Sequence, residues 1–121
     1  MTSPYPFITD EQFDLLQANG RLALAYQEKD EHFDPLPVVK LFTPDAGATW
    51  LLTEIDPEGM NGFGLCDLGM GCPEIGYVSL CELSEVRGMM DLPIERDPHF
   101  RPRQRLSAYA REARRAGRIQ A

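Results

Sequence analysis

Apolar and polar positions repeat along this chain with two different periods, and the switches between them mark its elements. From Thr9 onward, Leu15, Ala18, Leu22, Ala25 and Tyr26 fall at three- and four-residue steps, the spacing of one helix face. Thr9 with Gln12 three residues later fits a capping box, and Asp10 and Glu11 suit the positive end of a helix. Asn19-Gly20 interrupts the stripe, so a first helix ending there and a short second one to about Glu28 are expected. Residues 29–37, KDEHFDPLP, read as a polar loop punctuated by proline.

The period then shortens to two. LPVVKLF (36–42) and ATWLLTEID (48–56) are strand candidates, and the Pro, Asp and Gly between them suit the turn of an antiparallel hairpin. In the second strand, Leu51, Thr53 and Ile55 are expected on one face and Trp50, Leu52 and Glu54 on the other. GFGLCDLG (62–69) and IGYVSL (75–80) follow as third and fourth strands around a glycine-rich loop. Ser79 with Glu82 reads as a second capping box, opening a short helix over 80–87 that stops at Gly88. LPIERDPHF (92–100) is an edge strand or extended segment, because Pro93 and Pro98 exclude a central position. Leu106 to Ala116 is helical, with Leu106, Tyr109, Ala110 and Ala113 on one side, arginines on the other, and Gly117 as the stop. The expectation is α+β: an antiparallel sheet of four or five strands, a helix at each end of the chain and a short one near 80–87.

Length adds that 121 residues suit one domain, 1–121, with 101–121 as an arginine-rich C-terminal segment. No apolar run approaches the roughly 20 residues needed to cross a bilayer. The first residues carry neither the basic start nor the apolar stretch of a secretory signal, so a cytoplasmic location and no membrane contact are expected. Charge changes the picture more. The net charge is −7, but residues 1–100 hold five basic side chains against 18 acidic ones, a net −13. Residues 101–121 hold seven arginines against Glu112 alone, a net +6. Such a body repels nucleic acid, whereas the arginine segment attracts phosphates or acidic partners. Two outcomes stay open: the segment docks on the chain's own acidic body, or it meets a partner.

At this point four blocks stand out in order: VVKLFTPDAGATWLLTE, FGLCDLGMGCPEIGYVSL, ELSEVRG and LPIERDPHF. Together, from about Ile8 to the last helix, they resemble the bacterial domain-of-unknown-function family 2958. RGMMDLPIERD departs from the Gly-Pro-Leu-Gly-like turn expected before LPIERD. The resemblance implies a small domain encoded on plasmids, integrative elements and phage-like regions. It carries no catalytic residues to transfer.

Candidate chemistry comes from the residues alone. In an extended segment Glu95, Asp97 and His99 point to one side and Ile94 and Arg96 to the other. Two carboxylates and an imidazole can bind a divalent cation or act as acid and base, with Glu54 as a distant fourth member. The structural alternative is a solvated edge, with Arg96 turned inward onto Glu54 or Glu82. Arg101, Arg103 and Arg105 alternate into one cationic edge, and Arg111, Arg114, Arg115 and Arg118 cluster on the last helix. Aromatic interleaving is poor, with only Phe100 and Tyr109 nearby, so sequence-specific nucleic-acid reading is unsupported. Cys66, Cys72 and Cys81 form no CxxC pair, and their spacing with His99 matches no zinc pattern. They are expected to be buried or half-buried structural thiols, with inert packing of Cys81 favoured over a Cys81–His99 pair. The glycine-rich loop 62–76 has no lysine and no phosphate-loop motif, and no GxSxG is present. No metal and no cofactor are expected. Two functions follow: a non-enzymatic protein-binding or anti-defence module of a mobile element, engaging a host or element protein, or a small metal- or nucleotide-dependent enzyme using Glu54, Glu95, Asp97 and His99.

Overall fold

In a computed structural model describing residues 2–121, the elements follow one another as α1 (Asp10–Glu28), β1 (Val39–Phe42), β2 (Thr49–Ile55), β3 (Asn61–Asp67), β4 (Glu74–Ser79), α2 (Leu80–Glu85), β5 (Glu95–Arg96) and α3 (Leu106–Ala116). The five strands form one sheet in the order β4-β3-β2-β1-β5, antiparallel throughout, and the class is α+β as expected. Buried side chains fall into two groups. Phe13 and Leu16 of α1 and Leu80 and Leu83 of α2 pack with Val39, Leu41, Trp50, Leu52, Ile55 and Ile94. Leu106, Tyr109, Ala110 and Ala113 of α3 pack with Leu51 and Leu65. Because Leu51 and Leu52 are neighbours on one strand and must point oppositely, the two groups occupy opposite faces of the sheet.

The start of α1 is held by the expected box: Thr9 Oγ1 accepts from the Gln12 N–H, and the Thr9 N–H donates to Gln12 Oε1, both at 3.1 Å. Its buried face is another matter. Phe13, Leu16 and Gly20 turn inward, whereas Leu15 and Leu22 stand half exposed and Ala25 and Tyr26 also face out. Nor does Asn19-Gly20 break the helix, which runs unbroken over 19 residues. The reason is contact with β2. A Cβ on Gly20 would sit 2.1 Å from the Ile55 carbonyl oxygen, so only glycine lets the helix backbone come this close. Beside it, Asn19 Nδ2 donates to the Thr53 carbonyl at 3.0 Å.

β2 carries the second departure. Its register against β3 slips between Leu52 and Glu54, leaving Thr53 as a bulge. Trp50, Leu52 and Ile55 therefore share one face, and Glu54 pairs with Phe63 on the side of Leu51 and Leu65. The strict alternation expected across 50–55 fails at that one residue. Further along, Ser79 Oγ accepts from the Glu82 N–H at 3.2 Å, but the Glu82 side chain does not return the bond, so the second box is half formed. α2 also ends earlier than expected, with Val86 as its cap. Gly88 serves a different contact: a Cβ there would meet the Asp45 carboxylate, which accepts from the Met90 N–H at 2.5 Å and the Leu92 N–H at 3.4 Å. α3 ends at Gly117 in the left-handed conformation, as its glycine implies.

Replacing Gly20 by alanine separates helix propensity from packing. In an exposed helix the change would add about 1 kcal/mol of stability; against the Ile55 carbonyl it should instead cost about 1–3 kcal/mol. Urea denaturation decides the sign, and a stabilised Gly20→Ala protein would contradict this seat for α1.

Candidate functional site

β5 sits at the sheet edge between Pro93 and Pro98, as the prolines require, with Glu95 opposite Phe42 and Arg96 opposite Leu41. Cross-strand partners share a face, so Arg96 lies on the Leu41 side and Glu95 and Asp97 on the side of Lys40 and Phe42. The alternation read from the segment holds from Ile94 to Asp97 and stops there, because Pro98 and His99 lie in a turn closed by the Phe100 N–H on the Asp97 carbonyl. Arg96 is half-buried, yet no ion pair joins it to Glu54 or Glu82 among the described residues. Asp97 is tied down locally: its Oδ1 accepts from the His99 N–H at 2.9 Å and its Oδ2 lies 3.5 Å from Lys40 Nζ. The His99 N–H and the Lys40 ammonium together outweigh burial and hold the Asp97 carboxyl below the usual aspartate range. Glu95 and His99 are exposed. A shallow cleft runs over Lys40, Phe42, Thr49, Glu95, Asp97 and His99.

Glu54 is not part of it. β5 borders the Leu41–Phe42 end of β1, which pairs with Thr49 and Trp50, whereas Glu54 lies at the other end of β2. The four candidates therefore divide into an edge set and a separate glutamate. Among the described residues no three His, Cys, Asp or Glu side chains converge as metal ligands. Cys66 is half-buried and its thiol is pushed up to about 11 by burial, but Cys72 and Cys81 are exposed, against the expectation of packed thiols. Both lie on short or turning segments at the surface, where the core does not reach them.

Around Glu54 the sheet makes a different site. Glu54, Phe63 and Tyr77 stand in one row across β2, β3 and β4, and the two rings meet edge to face with centroids 4.9 Å apart. Ala23, Leu24 and Gln27 of α1, Asp56 of the β2–β3 turn and Asn61 at the start of β3 complete a cleft of about 90 Å³. The Thr53 hydroxyl donates to Glu54 Oε2 at 2.8 Å, with the Phe63 carbonyl at 3.2 Å. Burial raises the Glu54 pKa, and the Thr53 hydrogen bond only partly offsets it. Asp56 goes the other way: the N–H groups of Met60 and Asn61 and the Asn61 amide bind its carboxylate and outweigh its burial.

The arginines form the third feature. α3 docks through Leu106, Tyr109, Ala110 and Ala113, while Arg111, Arg114, Arg115 and Arg118 face solvent. Arg101, Arg103 and Arg105 are likewise exposed on the segment before it. Among the described residues none of these seven side chains reaches a carboxylate; Arg101 donates to the Phe100 carbonyl. The first turn of α3 is capped from a distance, by Asp34 accepting from the Ser107 N–H at 3.0 Å and from its hydroxyl. Asp34, Phe63 and Tyr77 escaped sequence reading. Asp34 acts across 73 residues, and the aromatic pair acquires its meaning only from the strand register.

Over residues 7–120 the sequence matches the family of proteins of unknown function DUF2958. The protein belongs to that family. No curated protein and no solved structure matches it. No helix among the described residues of this DUF2958 protein is long and apolar enough to cross a membrane.

The two carboxylates give this DUF2958 protein opposite pH responses. A raised folded pKa contributes stability below the ordinary carboxylate range that is lost as pH rises through it, so ionised Glu54 is a net cost at neutral pH. Glu54→Gln should therefore raise the melting temperature at neutral pH, and the gain should vanish by about pH 4. Asp97, with its lowered pKa, contributes above the ordinary range and loses this as pH falls. Asp97→Asn should melt lower at neutral pH, with the gap closing toward about pH 3. Thermal melts across this range test both, and a destabilised Glu54→Gln at neutral pH would reject the burial assigned to Glu54.

Proposed function

We propose that this DUF2958 protein is a non-enzymatic protein-binding module of a mobile genetic element, inhibitor-like and directed against a host defence protein. Its acidic body seats on a basic surface of that partner, such as a groove that otherwise holds nucleic acid. The observation that carries this reading is charge segregated along the chain: residues 1–100 hold 18 acidic side chains against five basic ones, while the seven arginines of 101–121 face solvent. An excess of like charge on one body raises encounter rates with an oppositely charged surface and rejects like-charged ones. The sheet edge adds exposed Glu95 and His99 beside half-buried Arg96 and Asp97, and the arginine face of α3 offers a second contact of opposite charge. The enzymatic alternative draws less support, since its four candidate residues fall at two places in the sheet.

Affinity capture from a host carrying the element tests the reading. A specific partner should be retained at low salt and released as ionic strength rises. Glu95→Lys, and separately Arg111→Ala/Arg114→Ala/Arg115→Ala, should each weaken retention by about tenfold while leaving the melting temperature near that of the parent. Retention indifferent to salt and to both sets of changes would overturn the proposal.

A further inference from the structure

The cleft beside Glu54 brings carboxylates and aromatic rings together. Its lining includes two carboxylates, Glu54 and Asp56, and no lysine or arginine. Glu54 is half-buried with a hydroxyl as its hydrogen-bond donor, an arrangement that leaves a carboxylate short of compensation. Phe63 and Tyr77 stand in the same row, and aromatic faces attract cations most strongly where water is partly excluded. Gln27 and Asn61 add amide oxygens at the rim, which suit N–H donors. At about 90 Å³ the space fits one guanidinium or ammonium head and is too small for a nucleotide. The bulge at Thr53 is what turns Glu54 to this side of the sheet, into the row with Phe63 and Tyr77.

We infer that this cleft is a receptor for a single arginine or lysine side chain projecting from a basic partner protein. The inference rests on the protein-binding reading and names the contact it uses. The guanidinium or ammonium pairs with Glu54, its stem lies along Phe63 and Tyr77, and the amides of Gln27 and Asn61 take remaining N–H groups. Tyr77, 78% exposed, forms the open wall through which the side chain enters.

The test uses the full chain and capped amino acids rather than the unknown partner. N-acetyl-arginine methylamide is titrated while backbone amide NMR signals are followed, with the citrulline analogue as its uncharged isostere. The expected result is a dissociation constant of order 1 mM, a reach set by the few atoms of the ligand, with shifts centred on Glu54, Phe63 and Tyr77. The citrulline analogue should bind at least about tenfold more weakly, as loss of the charge requires. Glu54→Gln, which keeps the Thr53 hydrogen bond, and Tyr77→Ala, at an exposed position, should each lower affinity by a similar factor. Equal binding of arginine and citrulline forms, or shifts spread over the acidic surface instead, would overturn the inference. Free agmatine binding tenfold tighter than the capped arginine would also overturn it, by pointing to a small metabolite. Because the titration involves no partner, its failure would leave the salt-dependent capture standing, and failure of the capture would leave the cleft's cation preference intact.

Discussion

The contact between α1 and the bulged end of β2 sets the geometry on which the rest depends. A bulge at Thr53 drops one residue from the ladder with β3 and frees its carbonyl, which Asn19 then binds. With that carbonyl satisfied, the next residue of the helix, Gly20, can lie against Ile55 with no side chain between. The same slip brings Ile55 onto the face of Trp50 and Leu52, giving Phe13 and Leu16 an apolar floor. It also turns Glu54 away from α1's core and into the row with Phe63 and Tyr77. One extra residue thus couples helix seating, core continuity and the position of a half-buried carboxylate.

The same contact explains what sequence reading could and could not reach. Element existence was legible because caps and periods are local: the Thr9–Gln12 box, the Pro-Asp-Gly turn before β2 and the Leu106–Ala113 face of α3 are all in place. The inward face of α1 was not, since Leu15 and Leu22 outbid Gly20 on hydrophobicity and only the partner strand reveals the value of a missing Cβ. Nothing in TWLLTEID announces a bulge, so strict alternation placed Glu54 on the wrong side. The edge at 95–97 was legible for the opposite reason: Pro93 and Pro98 forbid a central strand by removing donors. Its link to Glu54 failed because alternation fixes which side a residue faces and says nothing of how far apart two strand ends lie.

Charge segregation survives folding, and this is itself a consequence of how α3 is seated. The helix needs no arginine to hold it, because its alanines and Tyr109 pack on Leu51 and Leu65 and Asp34 caps its first turn. Salt bridges between exposed arginines and the acidic body would add little, as long flexible side chains lose entropy and salt screens them. The fold therefore has no energetic reason to neutralise its own surface. A body of net −13 beside a segment of net +6 remains available to other molecules.

The two carboxylate regions are not equivalent as working sites. Asp97 spends its acceptor capacity on the His99 N–H and on Lys40, contacts that shape the turn leaving β5 and draw its pKa down. A carboxylate so engaged offers little more to a ligand unless those bonds are given up. Glu54 is in the reverse condition: burial raises its pKa, and the Thr53 hydroxyl leaves acceptor positions open toward the cleft. A cation arriving there would restore the pairing that folding withholds, so its binding would be coupled to deprotonation of Glu54. The edge at Glu95–His99 supplies negative surface, whereas a cation at Glu54 would meet a half-buried carboxylate flanked by two aromatic rings, the more selective of the two contacts.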